Sequence, residues 1–145
     1  MTVFSDPSID SVKKLLTLSE LAVSDIHDGG SVRFFGCGTN AELVGVIGLE
    51  PYGRVGLLRS LAVDASRRGE NLGKRLVAHL EHVAGETGLR SIYLLTDTAQ
   101  HFFLRLGYVR LARDEAPEVI RTTEEFRCLC PDSAVFMVKH IGSEE

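Results

Sequence analysis

Near the middle of the chain, an apolar run typical of a strand is followed by apolar residues at helical spacing. Residues 57–63 are apolar except for Arg59 and Ser60, as is typical of a strand inside a covered sheet. After a short polar turn, apolar residues recur at the spacing of a helix with one buried face: Leu72, Leu76, Val77, Leu80, Val83 and Ala84. Gly88 follows where such a helix would end in the left-handed conformation. This stretch therefore predicts a strand, a tight turn and a long helix.

The same patterns predict three antiparallel strands before this unit and further elements after it. The earlier elements are an edge strand from Val3, a helix begun by Asp6 and Pro7, its continuation or a second helix over 18–23, a turn over 27–30, a hairpin of strands 31–37 and 42–49, and a turn over 50–53. The later elements are a strand over 91–95, a helix over 99–106 capped by Asp97 or Thr98 and ended by Gly107, a strand from 108, a helix with Pro117 in its first turn, and a strand over 134–140. We expect one domain over residues 1–145, because no repeat or linker interrupts this order.

The polar turn before the long helix has the composition of an anion site. A helix start presents backbone N–H groups without intrahelical partners, and small residues let a phosphate approach them. The side chains that add positive charge are Arg67, Arg68, Lys74 and Arg75. Gly69 and Gly73 are too close together for a Walker loop, and the dinucleotide fingerprint is absent. On spacing alone, an ordinary turn with a solvated basic surface is an equal alternative.

The turn resembles the acetyl-CoA loop of the GNAT acetyltransferases. That pattern, Q/R-x-x-G-x-G/A after a strand, is matched by Arg68-Gly69-Glu70-Asn71-Leu72-Gly73 after Leu61-Ala62-Val63. Asn71 stands where the first motif glycine is usual, and Asn is the non-glycine residue that best tolerates positive φ. Further along, residues 99–108 (A-Q-H-F-F-L-R-L-G-Y) are similar to the family's A-x-x-F-Y-x-x-x-G-F segment.

This resemblance implies an α/β fold, a central mixed sheet of six or seven strands with helices on both faces. In that fold the strands at 57–63 and 91–95 are parallel neighbours that splay apart, and the pantetheine arm of acetyl-CoA inserts between them. The residues implied to bind the cofactor are Leu61, Ala62, Val63, Arg68, Gly69, Glu70, Asn71, Leu72, Gly73, Lys74 and Phe103. Acetyl-CoA is the expected co-substrate, and no metal is expected.

The resemblance leaves the acid and base of the reaction open. Phe103 stands at the family's usual tyrosine, the residue that protonates the departing thiolate. Tyr108 lies at an aromatic position that is normally structural, and it is a weak catalytic candidate. Glu50 is the best carboxylate candidate for a base, at the predicted end of a strand. The alternatives are a solvated Glu50 in a turn and a thiolate that takes its proton from water.

Arg59 is a charged residue in an otherwise apolar central strand. Alternation along the strand places it on one face with Leu57, Leu61 and Val63. A buried guanidinium is costly unless it is paired. It is satisfied either by an internal acid such as Glu42 or Glu50, or by the carboxylate of a substrate that it binds bidentately.

Composition narrows the class of partner. The formal net charge is −4 and the pI is near 5.7, which argues against nucleic acid and against an anionic membrane surface. The N-terminus lacks the basic and apolar regions of a signal peptide, so a cytoplasmic location is expected. Cys37, Cys128 and Cys130 lack a second pair at zinc-finger spacing, which favours packing or incidental thiols over a metal site.

A second resemblance covers nearly the whole chain. The motifs E-A-P-x-x-I-x-x-T-x-E-F and L-C-P-x-S-A within residues 115–134, with G-L-E-P-Y-G upstream, are similar to GNAT proteins associated with arsenic-resistance operons and to small N-acetylglutamate-synthase-like GNATs. The latter imply an amino-acid-like acceptor. We therefore expect an N-acetyltransferase that acts on a small amine. A homodimer is the candidate assembly of this enzyme. The alternative is a noncatalytic module that binds or senses acyl-CoA.

Overall fold

A mixed sheet of seven strands runs through the computed structural model, which describes residues 2–21, 23–27, 30–67, 69–123, 126–127 and 133–142. The strands are β1 (Val3–Ser5), β2 (Arg33–Gly38), β3 (Leu43–Tyr52), β4 (Val55–Val63), β5 (Ser91–Thr96), β6 (Val109–Arg110) and β7 (Val135–His140). Their order is β1-β2-β3-β4-β5-β7-β6, and only the pair β4–β5 is parallel. The predicted sheet of six or seven strands is confirmed.

Helices cover both faces of the sheet. They are α1 (Ile9–Leu18), α2 (Leu72–Glu86), α3 (Gln100–Arg105) and α4 (Glu118–Arg121). The apolar face of α2, with Phe103 of α3, packs on inward residues of β2 to β5 and β7. On the opposite face, α1 packs against β2, β3 and the end of β4, whereas α4 packs against β5, β7 and the start of β4. Each strand in the middle of the sheet is therefore buried on both sides, which explains the continuous apolar runs.

The two parallel strands separate after a short contact. Register pairs join β4 and β5 at only three positions, the last of which is Leu57 with Tyr93. Beyond it, β4 stays paired with β3 up to Val63, and β5 stays paired with β7 up to Thr96. The carboxyl ends of β4 and β5 thus diverge into a cleft, which we call the β4–β5 opening. The loop before α2 begins at the end of β4, and α3 follows the end of β5, so both lie beside the opening.

A bulge in β4 lies at the start of this opening. Arg59 pairs with Gly48 and Ala62 pairs with Val46, so three steps on β4 match two on β3 and β4 holds one extra residue. Ser60 has φ 59°, the conformation of a bulged residue. The predicted alternation is therefore wrong past Arg59. Beyond the bulge, Leu61 packs in the same cluster as Leu58, toward α2, instead of sharing a face with Leu57.

Several predicted boundaries are also wrong, each because a neighbouring contact outweighs a local signal. The first helix begins after Ser8, whose N–H donates to Asn40 Oδ1, and Asp6 has φ 58° outside it. No helix follows it within residues 19–21 and 23–27. Glu50 lies inside β3, because pairing with β4 continues through Tyr52. Thr96, and neither Asp97 nor Thr98, accepts the Ala99 N–H before α3. None of the helices in the described ranges is long and apolar enough to cross a bilayer.

Candidate active site

The loop between β4 and α2 turns twice through the left-handed region. Ala65–Arg67 form one 3₁₀ turn, and Asp64 holds it because its Oδ1 accepts the Ser66 N–H and hydroxyl at 2.9 and 2.8 Å. Gly69 then has φ 94° and Asn71 has φ 62°. The positive φ expected at Asn71 is confirmed, which explains why asparagine can replace a glycine here. These turns bring the backbone of the loop to the start of α2.

The first turn of α2 presents its N–H groups without a side-chain cap. The Asn71 carbonyl accepts the Arg75 N–H at 3.1 Å, but the Asn71 side chain makes no capping bond with the described residues. The N–H groups of Leu72, Gly73 and Lys74 therefore have no intrahelical acceptor and lie at the positive end of the dipole. The side chains of Lys74 and Arg75 are exposed. The geometry is that of an anion site. Arg68 falls outside the described residues.

An ion pair within the loop offsets the negative charge of Glu70. Arg67 Nη1 lies 3.3 Å from Glu70 Oε1, and the side chains are 40% and 50% exposed. Exposed pairs of this kind contribute about 0–1 kcal/mol, so water or a phosphate competes easily for the guanidinium. Glu70 therefore leaves the positive charge of the loop available to a bound anion.

The ring of Phe102 lies against the first turn of α2. A Cβ added at Gly73 would lie 3.3 Å from Phe102 Cζ and 4.0 Å from Val63 Cγ2. The start of α2, the end of β4 and α3 therefore meet at a glycine that leaves little room for any side chain. Phe102 is half-buried at this junction. The family motif points to Phe103 and not to Phe102, so the sequence does not predict this contact.

Phe103 and Tyr108 pack together inside the core. Phe103 is 4% exposed, and its ring meets those of Phe102 and Tyr108 edge-on at 5.0 and 5.4 Å. The Tyr108 hydroxyl donates to Glu81 Oε2 at 2.9 Å, and Lys139 Nζ lies 3.1 Å from the other oxygen of Glu81. Burial, together with the charge of Glu81 and this hydrogen bond, raises the pKa of Tyr108. Tyr108 thus links Glu81 of α2 to Lys139 of β7, which is a structural role. The catalytic role of Tyr108 and the cofactor contact of Phe103 stay predictions.

A buried ion cluster lies on the other face of the sheet. Arg59 Nη1 lies 2.7 Å from Glu50 Oε2 and 2.5 Å from Asp25 Oδ2, while Nη2 donates to Asp25 Oδ1 at 2.8 Å. Arg59 Nε donates to Ser60 Oγ at 3.0 Å, and the Tyr52 hydroxyl donates to Glu50 Oε1. We call these five residues the Arg59 cluster. Its two carboxylates against one guanidinium explain how the sheet tolerates the buried charge.

The contacts of the Arg59 cluster shift the pKa values of Asp25 and Tyr52. Burial alone would raise the pKa of Asp25, but the hydrogen bonds and charge of Arg59 outweigh it, and the net pKa is lowered. Burial raises the pKa of Tyr52, and the adjacent Glu50 carboxylate raises it further. Asp25 is therefore ionised and Tyr52 is a neutral hydrogen-bond donor near pH 7. Both oxygens of Glu50 already accept hydrogen bonds, one from Tyr52 and the other from Arg59.

Three members of the cluster, Ser60 among them, were missed from the sequence. Pairing of Arg59 with Glu50 is one of the predicted alternatives, whereas Glu42 is exposed and lies outside the cluster. The predicted turn over 50–53 includes Tyr52, but Tyr52 ends β3. Its position two residues after Glu50, which puts both side chains on one face of a strand, is the available signal. Asp25 carries no sequence signal, because only the fold brings the segment between α1 and β2 onto β4.

Other reactive groups are sparse in the described part of the chain. No three or more His, Cys, Asp or Glu side chains there are placed to hold a metal ion. Cys37 is buried under α2, and this burial raises the pKa of its thiol. Cys128 and Cys130, expected above to be packing or incidental thiols, fall outside the described residues. The chemistry therefore centres on the loop, the β4–β5 opening and the Arg59 cluster.

Comparison with known proteins agrees with this geometry. The sequence model of the acetyltransferase (GNAT) family matches residues 6–108, which include the loop, the opening and the cluster. A curated amino-acid acetyltransferase of Ralstonia nicotianae is 35% identical over 94 residues, which are 63% of this chain and 18% of that protein. The chain thus spans about a fifth of the length of this relative.

Solved structures show the same fold at low sequence identity. N-acetylglutamate synthase from Neisseria gonorrhoeae, crystallised with coenzyme A and N-acetyl-glutamate, superposes with a TM-score of 0.77 at 17% identity, over 97% of this chain and 35% of that one. Tetrahymena GCN5 superposes with a TM-score of 0.76 at 15% identity, over 97% and 96% of the two chains. Similarity at this level establishes the architecture of the sheet and helices and nothing about the substrate.

Proposed function

Because this chain belongs to the acetyltransferase (GNAT) family, we propose that it transfers the acetyl group of acetyl-CoA to the amine of a small acceptor. The observation that carries this proposal is the β4–β5 opening, whose pairing stops at Leu57 and Tyr93 beside an uncapped helix start. A cleft between parallel strands accepts an extended arm, and a helix start accepts a pyrophosphate. The two features adjoin, as one elongated, anionic ligand requires.

The loop fits the phosphate end of acetyl-CoA. The N–H groups of residues 69–74 provide the donors, and Gly73 keeps the approach clear of a side chain. In the opening, Leu61 and Val63 of β4 offer backbone groups on the edge that β5 leaves unpaired. Ala62 packs on the opposite face under α1, so it can contribute through its backbone only. When bound, acetyl-CoA supplies the activated acyl group.

The amine of the acceptor must lose a proton to react, and either Glu50 or water can accept that proton. Glu50 is a buried carboxylate that pairs across the sheet with Leu57, where the opening begins, but Tyr52 and Arg59 occupy both its oxygens. We therefore assign Glu50 first to positioning Arg59, with proton transfer to water as the main route. On the other side of the reaction, a thiol with a pKa of about 8.5 can leave as the thiolate near neutral pH without a tyrosine at 103.

Arg59 favours an acceptor that carries a carboxylate. Arg59 is a residue of β4, two positions after Leu57, the last residue of β4 that pairs with β5. A planar fork of donors at this place matches a carboxylate next to the reacting amine. The curated amino-acid acetyltransferase and the synthase crystallised with N-acetyl-glutamate support an amino-acid-like acceptor. A cytoplasmic location, a homodimer, the absence of nucleic-acid and membrane partners, and the arsenic association stay predictions from the sequence.

A noncatalytic acyl-CoA-binding module is the second candidate. It is favoured by Phe103, which offers no hydroxyl, and by Tyr108, whose hydroxyl is held by Glu81. Steady-state release of free thiol from acetyl-CoA, measured with a panel of amines and amino acids, separates the two. The acetyltransferase predicts acceptor-dependent release that saturates with the acceptor. Tight binding of acetyl-CoA with no release above the rate without acceptor would favour the module.

A further inference from the structure

Asp25 covers Arg59 in the way that a bound carboxylate would. Its two oxygens lie 2.5 Å from Nη1 and 2.8 Å from Nη2, one on each nitrogen. This bidentate geometry is the one by which arginine recognises free carboxylates. The side chain of Arg59 is 0% exposed and that of Asp25 is 20% exposed, so solvent reaches the pair through Asp25. Among the described residues that contact Arg59, Asp25 therefore holds a place that a ligand carboxylate could take.

The sheet holds Arg59 in place independently of Asp25. Glu50 Oε2 accepts from Nη1 at 2.7 Å, and Ser60 Oγ accepts from Nε at 3.0 Å. Tyr52 fixes Glu50 in turn by donating to its other oxygen. All of these residues belong to the paired strands β3 and β4. The guanidinium therefore keeps its orientation when the Asp25 carboxylate leaves it.

Asp25 itself comes from outside the sheet. It lies between α1 and β2, beside Ile26, whose side chain is buried and whose N–H donates to the Val23 carbonyl at 3.0 Å. Asp25 belongs to no strand, so a change in its side chain leaves the sheet unaltered, whereas Ser60 is the bulged residue of β4 and Glu50 lies inside β3. Asp25 is accordingly the member of the Arg59 cluster that can be exchanged with the least rearrangement.

We propose that Asp25 occupies the place on Arg59 that the carboxylate of the acceptor takes, so that the two carboxylates exchange on one guanidinium. This inference rests on the proposed function. The exchange breaks and forms only hydrogen bonds and keeps the charge beside Arg59 constant. If Asp25 leaves Arg59 about a tenth of the time, the apparent affinity for a carboxylate is about tenfold below that of an uncovered Arg59. Acceptors without a carboxylate gain nothing from the exchange, so Asp25 sets acceptor specificity.

Paired acceptors test the exchange by kinetics. We compare the amino acid turned over fastest in the panel with the amine that lacks its α-carboxyl group, using wild type and Asp25→Asn. The expected result is a KM for the amino acid about tenfold lower in Asp25→Asn, with the KM for the amine unchanged. Glu42→Gln, which neutralises an exposed acid outside the cluster, is the matched control and should change neither. A KM that rises for the amino acid, or shifts equally for both acceptors, overturns the proposal.

Thermal unfolding tests the same site without turnover. Sodium acetate, which reproduces the missing side-chain carboxylate, is compared with sodium chloride at equal ionic strength. Acetate should raise the unfolding midpoint of Asp25→Ala by about 2 °C or more and leave wild type unchanged. Equal responses of the two proteins overturn the exchange even if acetyl transfer occurs. If the panel shows no transfer but acetate stabilises only Asp25→Ala, the proposed function fails and the exchange on Arg59 stands.

Discussion

The two sides of the β4–β5 opening present different chemical groups, backbone amides on one side and side chains on the other. On the side of α2, the candidate cofactor site consists of backbone N–H groups from one continuous stretch, residues 69–74. On the other face, the candidate acceptor site consists of side chains from three separate segments that meet at Arg59. A backbone site depends on local conformation, whereas a side-chain site depends on how distant segments pack. The first therefore tolerates changes of side chain, such as Asn71 for glycine, and the second does not.

The largest effect is expected from breaking the side-chain site. Arg59→Met leaves Glu50, which is 4% exposed, and Asp25 without their cation. Removing one partner of a buried ion pair destabilises a protein by about 3–5 kcal/mol. Denaturant unfolding of Arg59→Met against Arg110→Met, an exposed arginine of β6, measures the loss. A difference below about 1 kcal/mol would mean that the Arg59 cluster behaves like a surface ion pair.

Breaking the backbone site should abolish ligand binding while leaving the fold intact. Gly73→Glu places a carboxylate at the start of α2, where a Cβ already meets Phe102 at 3.3 Å. Bulk and like charge should lower CoA affinity by more than about 100-fold, roughly 2.8 kcal/mol. The matched control is Gly85→Glu, which puts the same side chain on the same helix with nothing within 4 Å of its Cβ. Equal CoA affinity in the two variants, measured by calorimetry, would exclude this loop as the phosphate site.

These two regions also differ in how much the sequence predicts of them. The loop, the long helix and the left-handed Asn71 follow from local spacing and a family motif, so they were predictable. Of the partners of Arg59, only Glu50 was predictable. Asp25 was not, because it lies 34 positions away from Arg59 in the sequence. The bulge at Ser60 has no sequence signal, yet it decides which side chains of β4 face α2. Local rules predict the elements, and long-range packing decides the acceptor side.

For Phe103→Tyr, the family motif and the packing of Phe103 predict opposite effects. The motif places a thiolate donor at this position and predicts faster transfer for Phe103→Tyr. The structure buries Phe103 between two rings, where an unpaired hydroxyl destabilises by about 1–3 kcal/mol. We expect lower stability and no gain in single-turnover rate, whereas Phe102→Ala should raise the KM for acetyl-CoA. A faster Phe103→Tyr across pH, with CoA binding unchanged, would show that the ring reaches the reacting sulfur.

The smallest effect is expected at Asn71. Its φ of 62° is open to glycine without strain, and its side chain makes no capping bond with the described residues. Asn71→Gly relieves the strain but adds freedom to the unfolded chain, so CoA affinity and stability should each change by less than about 1 kcal/mol. A larger loss of CoA affinity by calorimetry would mean that the amide side chain contacts the ligand, and that this side of the opening is not built from backbone alone.

A crystal structure with CoA and the best amino acid of the panel tests the account most directly. It should show the pyrophosphate about 3 Å from the backbone nitrogens of residues 69–74. The arm should pass between β4 and β5 beyond Leu57 and Tyr93, with the amino acid on the other face beside Arg59. CoA bound away from this loop, or an acceptor on the same face as α2, would contradict the division of the opening into a backbone side and a side-chain side.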